Sequence, residues 1–377
     1  MMNEPRIIIN LIMRARTVRQ HAVDQLERLV SRDVGGRGSG ALLHPGDLWQ
    51  SALALAQPAT RSVLITTGFP CCTTHTPPTE TDGIGGSIAI ARSLEAIGKR
   101  VSFVVDAANY AVLDASVRCG KAERYLAASD VLLYPATTSE SEGEGVGGAA
   151  DLLTAREKET CAEFMRAHGS WDHLVAIERA GRAADGGFYT MRAIDMGDLV
   201  APIDNLFLAA ATSGVESTGI GDGGNELGMG KVARATLGEQ IQDGATIGSV
   251  TATTHLIAAG VSDWGGYALA AAIVLAAEVH ELEAEAEAEA EVPGVEVGVG
   301  VSVIDAEARR AAALSTVAGQ RLVLRAAVDS GARDGCTGEL SMSVDGFAFD
   351  AEHAAMIESI AALVLRVETK TTPKATG

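Results

Sequence analysis

Residues 62–67 read S-V-L-I-T-T and residues 101–105 read V-S-F-V-V, and between them 87–97 carries helical spacing until Gly98 stops it. Short, mostly apolar runs of this kind suit strands buried on both faces, as in a parallel sheet. A strand, a helix and a second parallel strand in that order need a right-handed crossover. This one unit already restricts the chain to a sheet covered by helices.

The pattern continues along the chain. Helices are expected over 18–31, 45–56, 107–118, 152–168, 203–211, 268–279, 306–330 and 352–367, and strands over 131–134, 174–177 and 216–220. The fold class is α/β: a three-layer, Rossmann-like, mostly parallel sheet with helices on both faces. Residues 1–19 are expected to be an N-terminal extension and 20–377 a single domain. Glycines break the chain at 35–40, and a polar, glycine-rich loop is expected at 139–148. The Glu-Ala alternation at 281–291 is of low complexity, and its i,i+4 glutamates repel, so a frayed helix end or linker is expected there.

Aromatic residues make up only 4% of the 377, so Ala, Val, Leu and Ile must fill the core. The net charge of −19 repels nucleic acid and anionic membrane, and neither is expected as a partner. No apolar run reaches the ~18 residues of a membrane span. The five cysteines are odd in number and lack C-x-x-C spacing, which points to free thiols in a reducing compartment. That compartment is the cytoplasm or, because residues 1–19 are mildly basic and apolar, the mitochondrial matrix. The adjacent Cys71 and Cys72 read as a metal-binding pair or as small buried residues, with the second reading preferred.

Ligands of such sheets sit at the carboxyl ends of the strands, and three polar loops leave strands there. Residues 67–83 bring Glu80 and Asp82, which suit division of acid and base roles, a divalent cation, or simple compensation of a helix N-terminus. His75 is a further candidate base. Residues 178–191 bring Arg179 and Arg182, flanked by Glu178 and Asp185. Two guanidinium forks suit a dicarboxylate, unless they only pair with their acidic neighbours; Tyr189 and Arg192 would add to that site. Residues 218–232 hold six glycines, with Asp222, Asn225, Glu226 and Lys231 among them. This loop matches G-x-G-x-x-G at 219–224, but an aspartate inside it opposes a pyrophosphate, and a P-loop fails at Asn225 and Val232. As a plain turn it would use Asn225 to cap the next helix. Residues 260–267, G-V-S-D-W-G-G-Y, are expected to close over the three.

As strings these loops resemble one family. T-G-F-P-C with P-P-T-E-T-D-G (67–71, 77–83), I-E-R-A-G-R-A-A-D-G with M-R-A-I-D (177–186, 191–195), I-G-D-G-G-N-E-L-G-M-G (220–230) and V-S-D-W-G-G-Y-A-L (261–269) are similar to the C-terminal domain of D-glutamate cyclase. The resemblance covers nearly the whole chain and suggests a stand-alone version of that domain, where family enzymes carry a further N-terminal one. Asp263 stands where the pattern has Asn, and the Glu-Ala insertion lies outside the pattern. D-G-C-T (334–337) and V-D-G (344–346) look like the family's tail.

The resemblance implies conversion of D-glutamate to 5-oxo-D-proline and water. That chemistry needs a base for the amine, activation of the γ-carboxylate by a proton or a metal, a folded substrate, and donors for the tetrahedral oxygens. On this reading Arg179 and Arg182 take the substrate carboxylates, with Asn225 beside them. Asp222 and Glu226 hold the ammonium, act as base or ligate a cation, and Glu80 and Asp82 supply the remaining acid or metal ligand. Amides of Gly223 and Gly224 face the oxyanion. A divalent cation on Asp222, Glu226 and Asp82 is possible; no other cofactor is expected. Two alternatives stay open: a non-catalytic domain that binds an acidic amino acid and needs a partner domain, and a nucleotide-binding α/β enzyme using 219–224.

Overall fold

A computed structural model describes residues 4–136, 152–290 and 303–367. Helix α1 (Glu4–Val30) leads through a 3₁₀ turn (Ser39–Leu42) to α2 (Asp47–Ala56) and β1 (Ser62–Thr66). Next come α3 (Ile84–Ala96), β2 (Arg100–Val105), α4 (Ala107–Ala122) and β3 (Asp130–Leu133). The second half runs α5 (Ala155–His168), β4 (His173–Ile177), α6 (Asp204–Thr212), β5 (Glu216–Gly221), the short helices α7 (Arg234–Gln240) and α8 (Gly244–Ile247), and β6 (His255–Ala258). It ends with α9 (Ser262–Ala290), α10 (Val303–Ala313), α11 (Val317–Asp329), a hairpin of β7 (Ser343–Val344) and β8 (Phe347–Ala348), and α12 (Ala354–Leu365).

Among the described residues the main sheet has six strands in the order β3-β2-β1-β4-β5-β6, every neighbour parallel. The period of two along each strand divides its side chains between two cores. Val63 and Ile65, and Val175 and Ile177, join α1, α2, α3, α4, α9, α11 and α12 on one face. Leu64, Leu174 and Ala176 face α5 and α6 on the other. Both faces of β1 and β4 are therefore dry, which is why their sequences lack polar alternation. The chain winds from β1 outward to β3, then returns to β4 and winds the other way. Right-handed crossovers in opposite directions put their helices on opposite faces, so a crevice opens between the carboxyl ends of β1 and β4.

The α/β expectation is thus met, with local differences. The helix expected over 306–330 is two, because Thr316 caps a new start by accepting from the Gly319 amide. Helix α1 runs unbroken through residues 19 and 20, with Arg19 paired to the buried Glu278 of α9. The Glu-Ala run continues α9 as far as Ala290; Leu282 and Ala286 are buried and Glu283 pairs with Arg16 and His280. Strand β6 and helices α7 and α8 were not expected from the sequence. The glycine-rich loop at 139–148 lies outside the described residues.

Helix α9 is the hub of the larger core and crosses α3 at two glycines. A Cβ added to Gly266 would lie 2.5 Å from the Cα of Gly86. Alanine gains about 1 kcal/mol over glycine in a helix, but overpacking costs about 1–3 kcal/mol and here the obstacle is backbone. Gly266→Ala is expected to lower the urea midpoint of unfolding. A midpoint raised by helix propensity would contradict the close approach.

Candidate active site

The crevice holds a cavity of about 150 Å³, well below the ~300 Å³ at which drug-sized ligand pockets begin. Its size is in keeping with a small ligand such as an amino acid. From the loop after β1 come Phe69, Cys71, Glu80 and Asp82; from the end of β4, Glu178; from the loop after β5, Asp222, Asn225 and Glu226. Arg37 enters from the glycine-rich turn after α1, Asp345 from the β7–β8 hairpin, and Thr190 to Arg192 from the loop after β4.

Each element has a local reason for presenting its side chain. Asp345 (φ 58°) and Gly346 (φ 82°) form a two-residue Asp-Gly turn, the geometry that matches the twist of a tight hairpin. The turn pushes the aspartate inward. Arg37 is fixed by Asp33, whose carboxylate accepts from the Arg37 and Gly38 amides. Its guanidinium then bridges Asp222 (2.8 Å) and Asp345. Glu178 has φ 41°, a left-handed conformation that a non-glycine residue adopts at a cost; such strain collects at functional sites.

The amino end of α9 closes the floor. Asp82 accepts from the amides of Ser262 (3.0 Å), Asp263 (2.8 Å) and Gly83 (2.8 Å), while the Ser262 hydroxyl donates to Glu178 at 2.5 Å. In return Asp263 accepts from the Gly86 amide in the first turn of α3. Two helix N-termini therefore cap one another across the crevice, each with an acid from the other's segment. Residues 260–267 lie beneath the site rather than over it.

The glycine loop is bent around Glu226. Its two carboxylate oxygens accept from the amides of Asp222 (2.9 Å), Gly223 (2.5 Å) and Gly224 (2.7 Å). This overturns one expectation and narrows another. The amides of Gly223 and Gly224 are committed to Glu226 and do not face an oxyanion, and both oxygens of Glu226 accept from the loop's own amides. Asn225 lines the cavity and donates to the Tyr189 carbonyl at 2.7 Å. Lys231 points elsewhere, to Asp47 and the Thr254 carbonyl.

Arg179 and Arg182 are corrected too. Arg179 is buried against Asp106 (2.5 Å) and the carbonyls of Gly68 and Ala201. Arg182 is held between Asp204 (3.0 Å) and Glu157 (2.7 Å). Neither lines the cavity, and each guanidinium expected to take a substrate carboxylate already holds a protein one. Their partners are distant in sequence, not Glu178 and Asp185. His75 is exposed and also outside the cavity. The positive charge at the cavity comes from Arg37 and, at its mouth, the exposed Arg192. Glu178, Arg37 and Asp345 were missed as site residues; the V-D-G string was the available signal for the last.

Six buried carboxyl groups thus surround one guanidinium and one rim arginine. Burial first, and then the neighbouring acids, push Glu80, Asp82, Glu178 and Asp222 well above the usual carboxylate range. Burial likewise raises Asp263 to about 7. For Arg37 burial opposes the charge, but Asp222 and Asp345 outweigh it and keep the guanidinium protonated. Asp82, Asp222 and Asp345 offer oxygens within 4.8 Å of one another, as do Glu178, Asp222 and Glu226. Oxygen donors so arranged are of the kind that holds a hard divalent cation.

A family model described as D-glutamate cyclase-like, C-terminal, matches residues 26–361. The chain belongs to the D-glutamate cyclase-like C-terminal family. It is also 37% identical, over 345 residues, to the protein named D-glutamate cyclase, mitochondrial, of Homo sapiens. The alignment takes in 90% of this chain and 51% of that relative, so the chain spans about half of the relative's length. The family span contains the cavity loops from Arg37 to Asp345 and every site residue named above.

Two outcomes are expected of this geometry. Glu226→Gln turns an NH2 toward amides that are themselves donors, so it should cost about 1–3 kcal/mol of stability, read by chemical unfolding; unchanged stability would contradict the amide cradle. The raised acids bind more protons folded than unfolded, so their stabilisation is complete at low pH and is lost as pH rises through the folded values. For Asp263 that window runs from about 4 to about 7. Melting temperature should therefore fall across it, and Asp263→Asn, which keeps an acceptor for Gly86, should flatten the fall.

Proposed function

We propose that this chain carries out the cyclisation of D-glutamate to 5-oxo-D-proline and water in the crevice between β1 and β4. The observation that carries the reading is the set of buried acids with raised proton affinity around a cavity of amino-acid size, with Arg37 as counter-charge. Membership of the family supports it, and so does the activity in the human relative's name.

The reaction moves two protons from the substrate nitrogen to the departing oxygen; a C–N bond forms, a C–O bond breaks, and no redox partner is needed. Glu178 takes a proton from the ammonium, since its raised affinity makes it a stronger base than an exposed carboxylate. Glu80, whose proton affinity burial and the neighbouring acids raise, gives a proton to the γ-carboxylate and so makes its carbon electrophilic. After attack Glu80 takes back the second nitrogen proton and Glu178 gives its own to the departing hydroxyl, so water leaves and both acids are restored. Two acids that line one cavity divide the roles. Arg37 donates to the α-carboxylate, exchanging Asp222 and Asp345 for it, and Arg192 attracts the anionic substrate at the mouth. Held folded in the cavity, the amine meets the γ-carbon without a search, which is worth about 7–11 kcal/mol in favourable intramolecular cases. A second route to the same electrophile is a divalent cation on the Asp82–Asp222–Asp345 triad, favoured by the spacing of those oxygens. A mitochondrial location is in keeping with the human relative's name, and the mildly basic, apolar residues 1–19 suit the matrix.

Incubation with D-glutamate should yield 5-oxoproline. Glu178→Gln and Glu80→Gln should each lower kcat by about 10²–10⁴-fold with little change in KM, whereas Arg37→Gln should raise KM. Assays after chelation, and with Mn²⁺ restored, separate protonation by Glu80 from polarisation by a cation. Calorimetric binding without product would assign turnover to the half of the relative that this chain does not match.

A further inference from the structure

We propose that Cys71 and Cys72 form a bidentate site for a soft d10 cation, Zn²⁺ or Cd²⁺, on the wall of the cavity, and that its occupancy inhibits turnover. The binding stands on the thiol geometry alone; the inhibition rests on the function proposed above.

The two thiol sulfurs lie 3.9 Å apart. The backbone between adjacent residues weighs against a disulfide. A disulfide needs its sulfurs at ~2.05 Å and its Cα atoms usually at ~4.4–6.8 Å, whereas adjacent Cα atoms across a trans peptide are fixed at ~3.8 Å. Oxidation would pull the sulfurs together against the backbone. A tetrahedral ion with metal–sulfur bonds of ~2.3 Å instead places two thiolates ~3.8 Å apart. The pair already has the edge length of a tetrahedral thiolate site.

The surroundings suit an ion that arrives through the cavity. Cys71 lines it, and Cys72 is buried just behind, its amide donating to the Pro78 carbonyl at 3.0 Å. The Glu80 carboxyl contacts the Cys71 thiol. Cys336 also faces the cavity, but its thiol is directed to Asp345 at 3.1 Å. Cys119 and Cys161 sit on α4 and α5. Binding forms two metal–sulfur bonds and breaks two S–H bonds, releasing two protons to solvent with no change of oxidation state. It also sets the ion on the cavity wall that Cys71 lines, in the space the amino acid is proposed to enter.

The test compares the intact chain with Cys72→Ser and Cys336→Ser. Zn²⁺ is titrated against a chromophoric chelator with Mg²⁺ in excess to occupy carboxylates, and Cd²⁺ is followed by its thiolate charge-transfer absorption. The unmodified chain should bind one ion with that absorption. Cys72→Ser should weaken binding at least about tenfold, and Cys336→Ser should leave it unchanged. In the unmodified chain Zn²⁺ should protect Cys71 and Cys72 from alkylation, mapped by mass spectrometry, which requires no variant to fold. Turnover should fall with Zn²⁺, recover on chelation, and resist Zn²⁺ in Cys72→Ser, whose side chain lies outside the cavity lining. Equal Zn²⁺ affinity for the unmodified chain and Cys72→Ser, or alkylation unaffected by Zn²⁺, overturns the site. Binding as described in a chain that makes no 5-oxoproline upholds the site and counts against the cyclase reading alone.

Discussion

The amino end of α9 is aimed at buried negative charge, and much of the cavity is arranged around that contact. The Ser262 and Asp263 amides would be orphan donors if nothing accepted from them, and Asp82 accepts from both. Asp263 answers by capping α3 through Gly86. The exchange fixes the crossing of α3 and α9 where Gly86 and Gly266 touch, and hence the spacing of the loops after β1 and β4. It also leaves the Ser262 hydroxyl within 2.5 Å of Glu178. A structural need, capping two buried helix ends, and a chemical one, holding an acid at a strand terminus, are met by the same few residues.

The acids around the cavity fall into two kinds. Asp82 and Glu226 each accept from three backbone amides and are built into the frame. Glu80 and Glu178 have fewer donors, and both face the cavity. Only the second pair accepts from no backbone amide, which leaves its oxygens to exchange protons with a ligand. Asp222 and Asp345 are intermediate, since their partner is Arg37, a side chain long enough to exchange one carboxylate for another. A pocket rich in acid can thus still receive an acidic substrate.

The sheet was legible because burial on both faces leaves a mark on each strand separately: V-L-I in β1 and L-V-A-I in β4 need no knowledge of their neighbours. Strand β6, H-L-I-A among threonines, is too short to stand out. The loops at the carboxyl edge were legible as well, and the crevice brings Glu80, Asp82, Asp222, Asn225 and Glu226 together. The arginines misled because a guanidinium looks the same whether or not it is already paired; Arg179 meets Asp106, 73 residues away, and Arg182 meets Asp204. Arg37 was hidden for the opposite reason. It sits in G-G-R-G-S-G, which reads as a break, and its role exists only once Asp222 and Asp345 converge on it. Pairings between distant loops are properties of the fold and leave no local period or spacing to read.

The most direct test of this account is a crystal structure of the chain grown or soaked with D-glutamate. The account predicts the ligand in the crevice between β1 and β4, its α-carboxylate on Arg37 and its nitrogen within hydrogen-bonding distance of Glu178. Arg179 and Arg182 should keep their present carboxylate partners. A ligand bound to Arg179 or Arg182, or seated away from Glu178, would contradict it.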